Sequence, residues 1–415
     1  MKKLKTIFNI LIFTYIFNIQ TYAQNIECPS DLIHKQLLLS NSQYFSKNQL
    51  LESEIKRIIN TSENKANNNI IYTIPVVVHV IHLGEPIGTG TNISNEQIID
   101  AIAGLNNRWR NVNGNGIGVD VEIQFCLANR NPNGNPTTGI NRVNASNIPN
   151  YAANGISLFY SNCNAPSEET IKDLSKWPVS DYYNIWVVNK ICQNFGGFVG
   201  QASYPNGSPY DGTVINSWIM TSEMVLAHEV GHGFNLYHTF EGDGGNLFCP
   251  LNSPCNSNGD FVCDTPPHKQ GDCDFSNPCS SVGVWSNSLN NYMSYCGQRD
   301  RFTQGQKDRI RATAIVYPRL SLLSSLGCSG LGINDNELDN FIIYPNPSKN
   351  IVIIELTNNI DIGKLQIFNP IGKKIFETDI TNSTIEINIS QFSKGIYILR
   401  FSDNERIISK KLIVD

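Results

Sequence analysis

The chain is 415 residues long, with 31 Lys plus Arg against 36 Asp plus Glu and a formal net charge of −5. It is 40% hydrophobic and 16% charged, which excludes a wholly disordered polymer. No basic stripe stands out, so nothing favours a nucleic-acid partner.

The first residues read as a secretory signal. Lys2, Lys3 and Lys5 precede an apolar stretch over 7–19 that Asn9, Thr14 and Asn18 interrupt, and Thr21-Tyr22-Ala23 closes it. A basic start, a short apolar middle and a small-residue exit predict a signal peptide over 1–23. The stretch is too short and too polar to span a hydrocarbon core of about 30 Å. No later segment is apolar enough either, so the expectation is a chain with no transmembrane segment after signal removal. Its destination is then the medium or the cell surface, by way of the periplasm. The 11 cysteines fit an oxidising compartment. Their odd number leaves at least one thiol free in a monomer, the state we expect.

Residues 24–68 form a lead segment of propeptide type, a polar helical run over 32–59 ending in an Asn-rich linker. Residues 71–81 spell a strand whose Val run suits burial on both faces, tempered by Pro75. Ser94-Asn95-Glu96-Gln97 is a capping-box spelling, and Ile98, Ile102, Leu105 and Trp109 follow at helical spacing. Strands are predicted at 119–127 and 183–189, and an apolar helix at 224–234. A Gly/Asn/Pro/Cys loop fills 241–290, a length that within a domain signals function or stapling. A closing helix covers 304–314. This order predicts a mixed α+β domain over 69–328. After a linker at 329–340, residues 341–415 hold seven short strands with Asn, Gly and Asp turns, the pattern of a small β-sandwich.

The chemistry concentrates at 228–238, which read His-Glu-Val-Gly-His-Gly-Phe-Asn-Leu-Tyr-His. His228 and His232 are i and i+4 on one helix face and can bind one ion together. Zinc accepts neutral imidazole, and His238 is placed to supply a third ligand once the chain turns back. Three protein ligands leave one position for water, whose pKa the ion brings to about 7. Glu229 can face that water without ligating the metal, as a general base that later serves the leaving amine. Met293 lies in a second motif, Asn291-Tyr292-Met293-Ser294-Tyr295.

These motifs carry a resemblance. HEVGHGFNLYHTF at 228–240, Asp-Thr-Pro-Pro at 264–267 and the Met motif together resemble the metzincin zinc metalloproteases, in the pappalysin-type (cytophagalysin-like) branch. The resemblance runs over most of residues 28–326. It implies a two-lobed catalytic domain with a mixed sheet and the active-site helix at the cleft floor. It further implies zinc on His228, His232 and His238, Glu229 as base, Met293 as the apolar cushion of a Met-turn, and Tyr295 as a hydroxyl that helps hold the oxyanion. Where the family motif has Gly, this chain has Asn235, the next most tolerant residue for positive φ.

Further expectations follow. Asp243, Asp260, Asp264 and Thr265 offer hard oxygen ligands in the long loop and are candidates for calcium, which related proteases bind there. Six cysteines of that region allow 15 pairings, among which Cys255–Cys263, Cys249–Cys279 and Cys273–Cys296 is the expected set. Cys28 matches a cysteine with which relatives cap the zinc in a latent enzyme, so it is a candidate latency switch. Some relatives favour basic residues after the cut through an acid just past the Met motif; here that stretch is Gln298-Arg299-Asp300-Arg301, with Asp300 the candidate. His79 and His82 lie on the apolar strand and read as structural, while His34 and His268 show no partner.

The tail resembles the sorting domain of type IX secretion, on Tyr344-Pro345-Asn346-Pro347, Gly395-Ile396-Tyr397 and Lys410-Lys411-Leu412-Ile413-Val414. It implies the secretion machinery as a partner beside a protein or peptide substrate; the alternative is a carbohydrate- or protein-binding sandwich. The reading is thus a secreted zinc endopeptidase made as a zymogen. The rivals are a zinc amidase or esterase, and a catalytically inactive binding protein on the same scaffold.

Overall fold

The computed structural model describes residues 28–61, 70–112, 117–158, 163–192, 198–274, 279, 283–329, 341–356, 363–369, 373–380, 382–402 and 407–415. The signal peptide over 1–23 and nearly all of the 329–340 linker lie outside them.

The lead segment forms helices α1 (Ser30–Ser40) and α2 (Ser42–Asn60) rather than one run. The break falls at Asn41, whose extended backbone and side-chain oxygen cap α2 by accepting from the N–H groups of Gln43 and Tyr44. Leu51, Ile55 and Ile58 of α2 bury against Ala312.

The next region is built on a mixed sheet. Strand β1 (Tyr72–His82) lies inside it, parallel to β2 (Ile123–Leu127) and β3 (Ile140–Asn144) along successive halves of one edge, and to β4 (Tyr183–Val188) on the other. Beyond β4 come β6 (Gly212–Asn216), parallel, and β5 (Gly200–Ala202), antiparallel at the edge. Pro75 is tolerated because pairing with β4 begins only at Val76, so the missing N–H falls where β1 has one strand neighbour. The strand expected over 119–127 starts at Ile123 instead. Glu122 takes φ 60, and the N–H groups of Val119 and Val121 turn to the carbonyls of Phe302 and Trp109.

Three helices cover the sheet: α3 (Asn95–Trp109), α4 (Glu223–Gly233) and α5 (Gln304–Ala314). The Ser94/Gln97 capping box forms as expected, and Thr303/Gln306 makes a second. Ile98, Ile102, Leu105 and Trp109 of α3 meet Val76, Val78 and Ile185 of the sheet and Leu226 and Val230 of α4 in one buried core. This packing fixes α4 as a rigid platform.

Residues 341–415 form seven strands, β7 (Phe341–Tyr344), β8 (Ile351–Leu356), β9 (Gly363–Phe368), β10 (Lys374–Ile380), β11 (Thr384–Asn388), β12 (Gly395–Ser402) and β13 (Ile407–Val414). They make two antiparallel sheets, ordered β10-β9-β12-β13 and β11-β8-β7, closed over Val352, Ile354, Leu365, Ile367, Leu399 and Leu412. Along β8 and β9 the residues alternate in and out of that core.

Candidate active site

Helix α4 presents His228 and His232 from one face, and its C-terminus decides where His238 goes. Asn235 has φ 69. Its N–H reaches the His232 carbonyl at 2.9 Å, and the Leu236 N–H reaches back to the Gly231 carbonyl at 3.0 Å. This pair of bonds is a Schellman ending with Asn in the left-handed position, as the sequence expected. The reversal brings His238 back beside the helix.

The three imidazoles converge. The Nε2 atoms lie 3.2 Å (His228 to His232), 3.3 Å (His232 to His238) and 3.2 Å (His228 to His238) apart. Each Nδ1 faces a committed acceptor: the Tyr292 carbonyl at 2.7 Å for His228, the Leu236 carbonyl at 2.8 Å for His232, and the Asp31 carboxylate at 2.5 Å for His238. Those acceptors place the proton on Nδ1, so three Nε2 lone pairs point at one spot. Burial first, and neighbouring imidazoles second, hold His228 well below its usual pKa and push His232 down to about 3. Neutral, unprotonated nitrogens facing one another repel unless a cation sits among them, so this donor set fits zinc.

The Cys28 sulfur joins the group. The ligand atoms of Cys28, His228, His232 and His238 lie within 4.8 Å of one another, and among the described residues no other such cluster occurs. Burial, then the Glu229 carboxylate, holds this thiol well above its usual pKa. As a thiol it donates to Glu229 Oε2 at 3.2 Å. The backbone of Cys28 is held too: its N–H donates to the Tyr295 hydroxyl at 2.7 Å, and that hydroxyl donates to its carbonyl at 3.0 Å.

Glu229 stands beside the cluster and outside it, 1% exposed. Burial pushes its carboxyl up to about 8, opposed by the Cys28 hydrogen bond and by the Arg299 charge. Gly200 on the edge strand leaves room for it; a Cβ there would lie 2.7 Å from Glu229 Oε1. Met293 is fully buried under α4, so close that a Cβ on Gly231 would come within 2.5 Å of its sulfur. Its carbonyl accepts from the Thr239 N–H at 3.2 Å, tying the Met motif to the stretch after His238.

Residues not singled out in the sequence complete the site. Asp31 of α1 accepts from both His238 and the Tyr204 hydroxyl. Burial is the largest single influence on its carboxyl and pushes it up, but the His238 and His232 imidazoles and the hydrogen bonds from His238 and Glu241 together hold it well below the usual range. Glu52 of α2 accepts from Asn235 Nδ2 at 2.9 Å and from Arg309 at 2.6 Å, so the lead segment also clamps the turn. His34, for which no partner was visible, sits between the hydroxyls of Tyr44 at 2.7 Å and Tyr237 at 3.0 Å. His268, likewise, meets Thr239 Oγ1 at 2.7 Å. His79 meets Asn184 at 2.8 Å, and His82 Nδ1 accepts from the Gly84 N–H at 3.0 Å.

Each of the calcium candidates has protein partners. Asp243 accepts from the N–H groups of Gly245, Asn246 and Gln270. Asp260 accepts from Val262 N–H and the Thr265 hydroxyl, and Asp264 from Gly305 N–H and the Thr303 hydroxyl. These carboxylates brace the loop through protein donors. Asp300 is exposed and paired with Arg301 at 2.6 Å. The three expected disulfides, Cys255–Cys263, Cys249–Cys279 and Cys273–Cys296, are present, with Cys126–Cys328 and Cys163–Cys192 beside them, and Cys28 is the free thiol.

The turn at Asn235 is open to test. A β-branched residue at this φ carries strain of about 1–3 kcal/mol. Asn235→Val should therefore weaken zinc binding by roughly tenfold. Zinc retained per chain through a graded chelator dialysis measures this; occupancy equal to wild type would mean that the turn does not govern His238.

Residues 166–314 match the family model described as Pregnancy-associated plasma protein-A, and residues 342–415 match the Secretion system C-terminal sorting domain. The structure of a promirolysin mutant from Tannerella forsythia is similar to the chain at 26% identity with a TM-score of 0.52, covering 72% of this chain and 97% of that one. An extracellular metalloprotease of Colletotrichum graminicola is 30% identical over 139 residues, 29% of this chain and 46% of the relative. Another, from Sordaria macrospora, is 36% identical over 87 residues, 20% of this chain and 27% of the relative. The chain thus spans less than half the length of these two relatives. No helix among the described residues is long and apolar enough to cross a membrane.

Proposed function

We propose, for a chain whose residues 166–314 match the pregnancy-associated plasma protein-A model and whose residues 342–415 match a secretion-system sorting domain, that it is a secreted zinc endopeptidase held latent by its lead segment. The observation that carries this reading is the convergence of three Nδ1-anchored imidazoles beside a carboxylate that ligates nothing.

His228, His232 and His238 would hold the zinc, which supplies Lewis-acid polarisation of the scissile carbonyl and of the attacking water. Glu229 takes the proton from that water and delivers it to the leaving amine. Tyr295 offers its hydroxyl to the developing oxyanion, and its reach into the site is measured by its bonds to Cys28. Met293 supports the histidines from below without touching substrate.

Latency follows from what Cys28 occupies. Its sulfur takes the place a fourth ligand needs and donates to the general base, while its backbone takes up the Tyr295 hydroxyl. One residue therefore covers three working groups. The sorting domain gives the secretion machinery as partner.

Full-length protein loaded with zinc should show little proteolysis of an unstructured protein, and a thiol-reactive mercurial should raise it by about tenfold or more through the single free thiol. A chelator should abolish the gain. A Cys28→Ala chain should start active and ignore the mercurial. Proteolysis that is indifferent to the mercurial would remove the latency role, and absence of any chelator-sensitive hydrolysis would remove the endopeptidase reading.

A further inference from the structure

Three arginines near the site are neutralised by ion pairs. Arg309 pairs with Glu52 at 2.6 Å, Arg319 with Asp211 at 2.7 Å and Arg108 with Glu223 at 3.1 Å. Arg299 makes no ion pair among the described residues. Its Nη1 donates to the Ser294 carbonyl at 3.3 Å, and its buried Nε finds no acceptor. The neighbouring acid, Asp300, turns away to Arg301.

This guanidinium nevertheless belongs to the active centre. The Ser294 carbonyl that it meets lies between Met293, buried under the active-site helix, and Tyr295, whose hydroxyl holds the Cys28 backbone. It lies just past Met293 and Cys296, in a segment that the Cys273–Cys296 disulfide fixes. A half-buried cation with unused donors is costly to maintain, and a carboxylate arriving from outside would supply the missing acceptors. The planar guanidinium fork matches a carboxylate in geometry as well as charge. Glu229 does not fill this role, since its Oε2 is turned to the Cys28 thiol.

We propose that Arg299 is a specificity-determining residue that receives an acidic substrate side chain, Asp or Glu, next to the cleaved bond. The enzyme is then one that prefers acidic peptides. This rests on the endopeptidase reading above and names the substrate class for that site. Asp300, the next residue, takes no part.

The test uses full-length, zinc-loaded, mercurial-activated protein and three peptides that differ only beside the scissile bond, carrying Glu, Gln or Lys. Wild type should cleave the Glu peptide with kcat/KM about tenfold or more above the Gln peptide, with Lys slowest. Arg299→Gln should erase the ranking, and Arg299→Glu should reverse it towards Lys. Binding of the Glu and Gln peptides to a Glu229→Gln chain, followed by fluorescence anisotropy, should show the same preference without turnover. Equal cleavage and equal binding of all three peptides by wild type would overturn the acidic preference and leave the endopeptidase standing. No chelator-sensitive cleavage of any peptide would overturn both. If Arg299→Gln does not fold, the wild-type ranking and Arg299→Lys, which keeps charge but loses the fork, decide the matter.

Discussion

Glu229→Gln should lower kcat by about a thousandfold while zinc occupancy stays at the wild-type level. The expectation comes from where the carboxylate stands. It is outside the ligand cluster, so the metal should not depend on it. It is almost fully buried, and its one side-chain hydrogen bond is to Cys28, a residue of the lead segment. Gln has nearly the same shape and can accept the Cys28 hydrogen bond, so the fold has little reason to change. What Gln cannot do is accept a proton from water and hand it on. Zinc analysis beside kcat and KM for wild type and variant measures the split. A fall in kcat with KM and zinc unchanged marks a proton carrier; a parallel loss of zinc would instead make Glu229 a structural support and shift the base elsewhere.

Much of this site could be read from the chain because its central part is local. His228, Glu229 and His232 share one turn-repeat of a helix, and Asn235 supplies a left-handed residue where the chain must reverse. Spacing carries such information directly. The seven tail strands were legible because they are short, regularly spaced and separated by Asn, Gly and Asp turns. The strands β5 and β6 were not: all their residues are buried, so no period distinguishes them from a loop or a core segment. Asp31, Glu52 and Tyr204 reach the site from elements far away in sequence, and nothing local marks them. Arg299 shows a finer limit. The stretch after the Met motif was recognised as important, but the sequence does not say which of two adjacent residues turns inward. The structure sets the Arg299 guanidinium on the Ser294 carbonyl and leaves Asp300 exposed and paired with Arg301.

Asp211→Ala should cost about 3–5 kcal/mol and lower the apparent Tm by roughly 10 °C. Asp211 is 2% exposed and accepts two hydrogen bonds from Arg319, at 3.1 and 2.7 Å. Arg319 in turn donates from Nε to the Gly233 carbonyl at 2.9 Å, at the last residue of α4, and lies over the rings of Tyr183 and Phe234. The pair therefore fastens the C-terminal end of the active-site helix, directly before the Asn235 reversal, to the loop ahead of β6. Removing the carboxylate leaves a buried guanidinium with the helix carbonyl as its remaining acceptor. The large cost is the penalty of that stranded charge rather than the worth of the pair. The two can be told apart. An Asp211→Ala, Arg319→Met double variant removes both charges, and it should recover a good part of the lost stability, because an apolar side chain can fill the space between Tyr183 and Phe234. Thermal unfolding of both variants checks the energetics. Zinc retention checks the link to the site, because α4 loosened at Gly233 should hold His238 less firmly in the single variant. A double variant no more stable than Asp211→Ala would show that the contact with the helix end, and not the buried charge, is what the fold depends on.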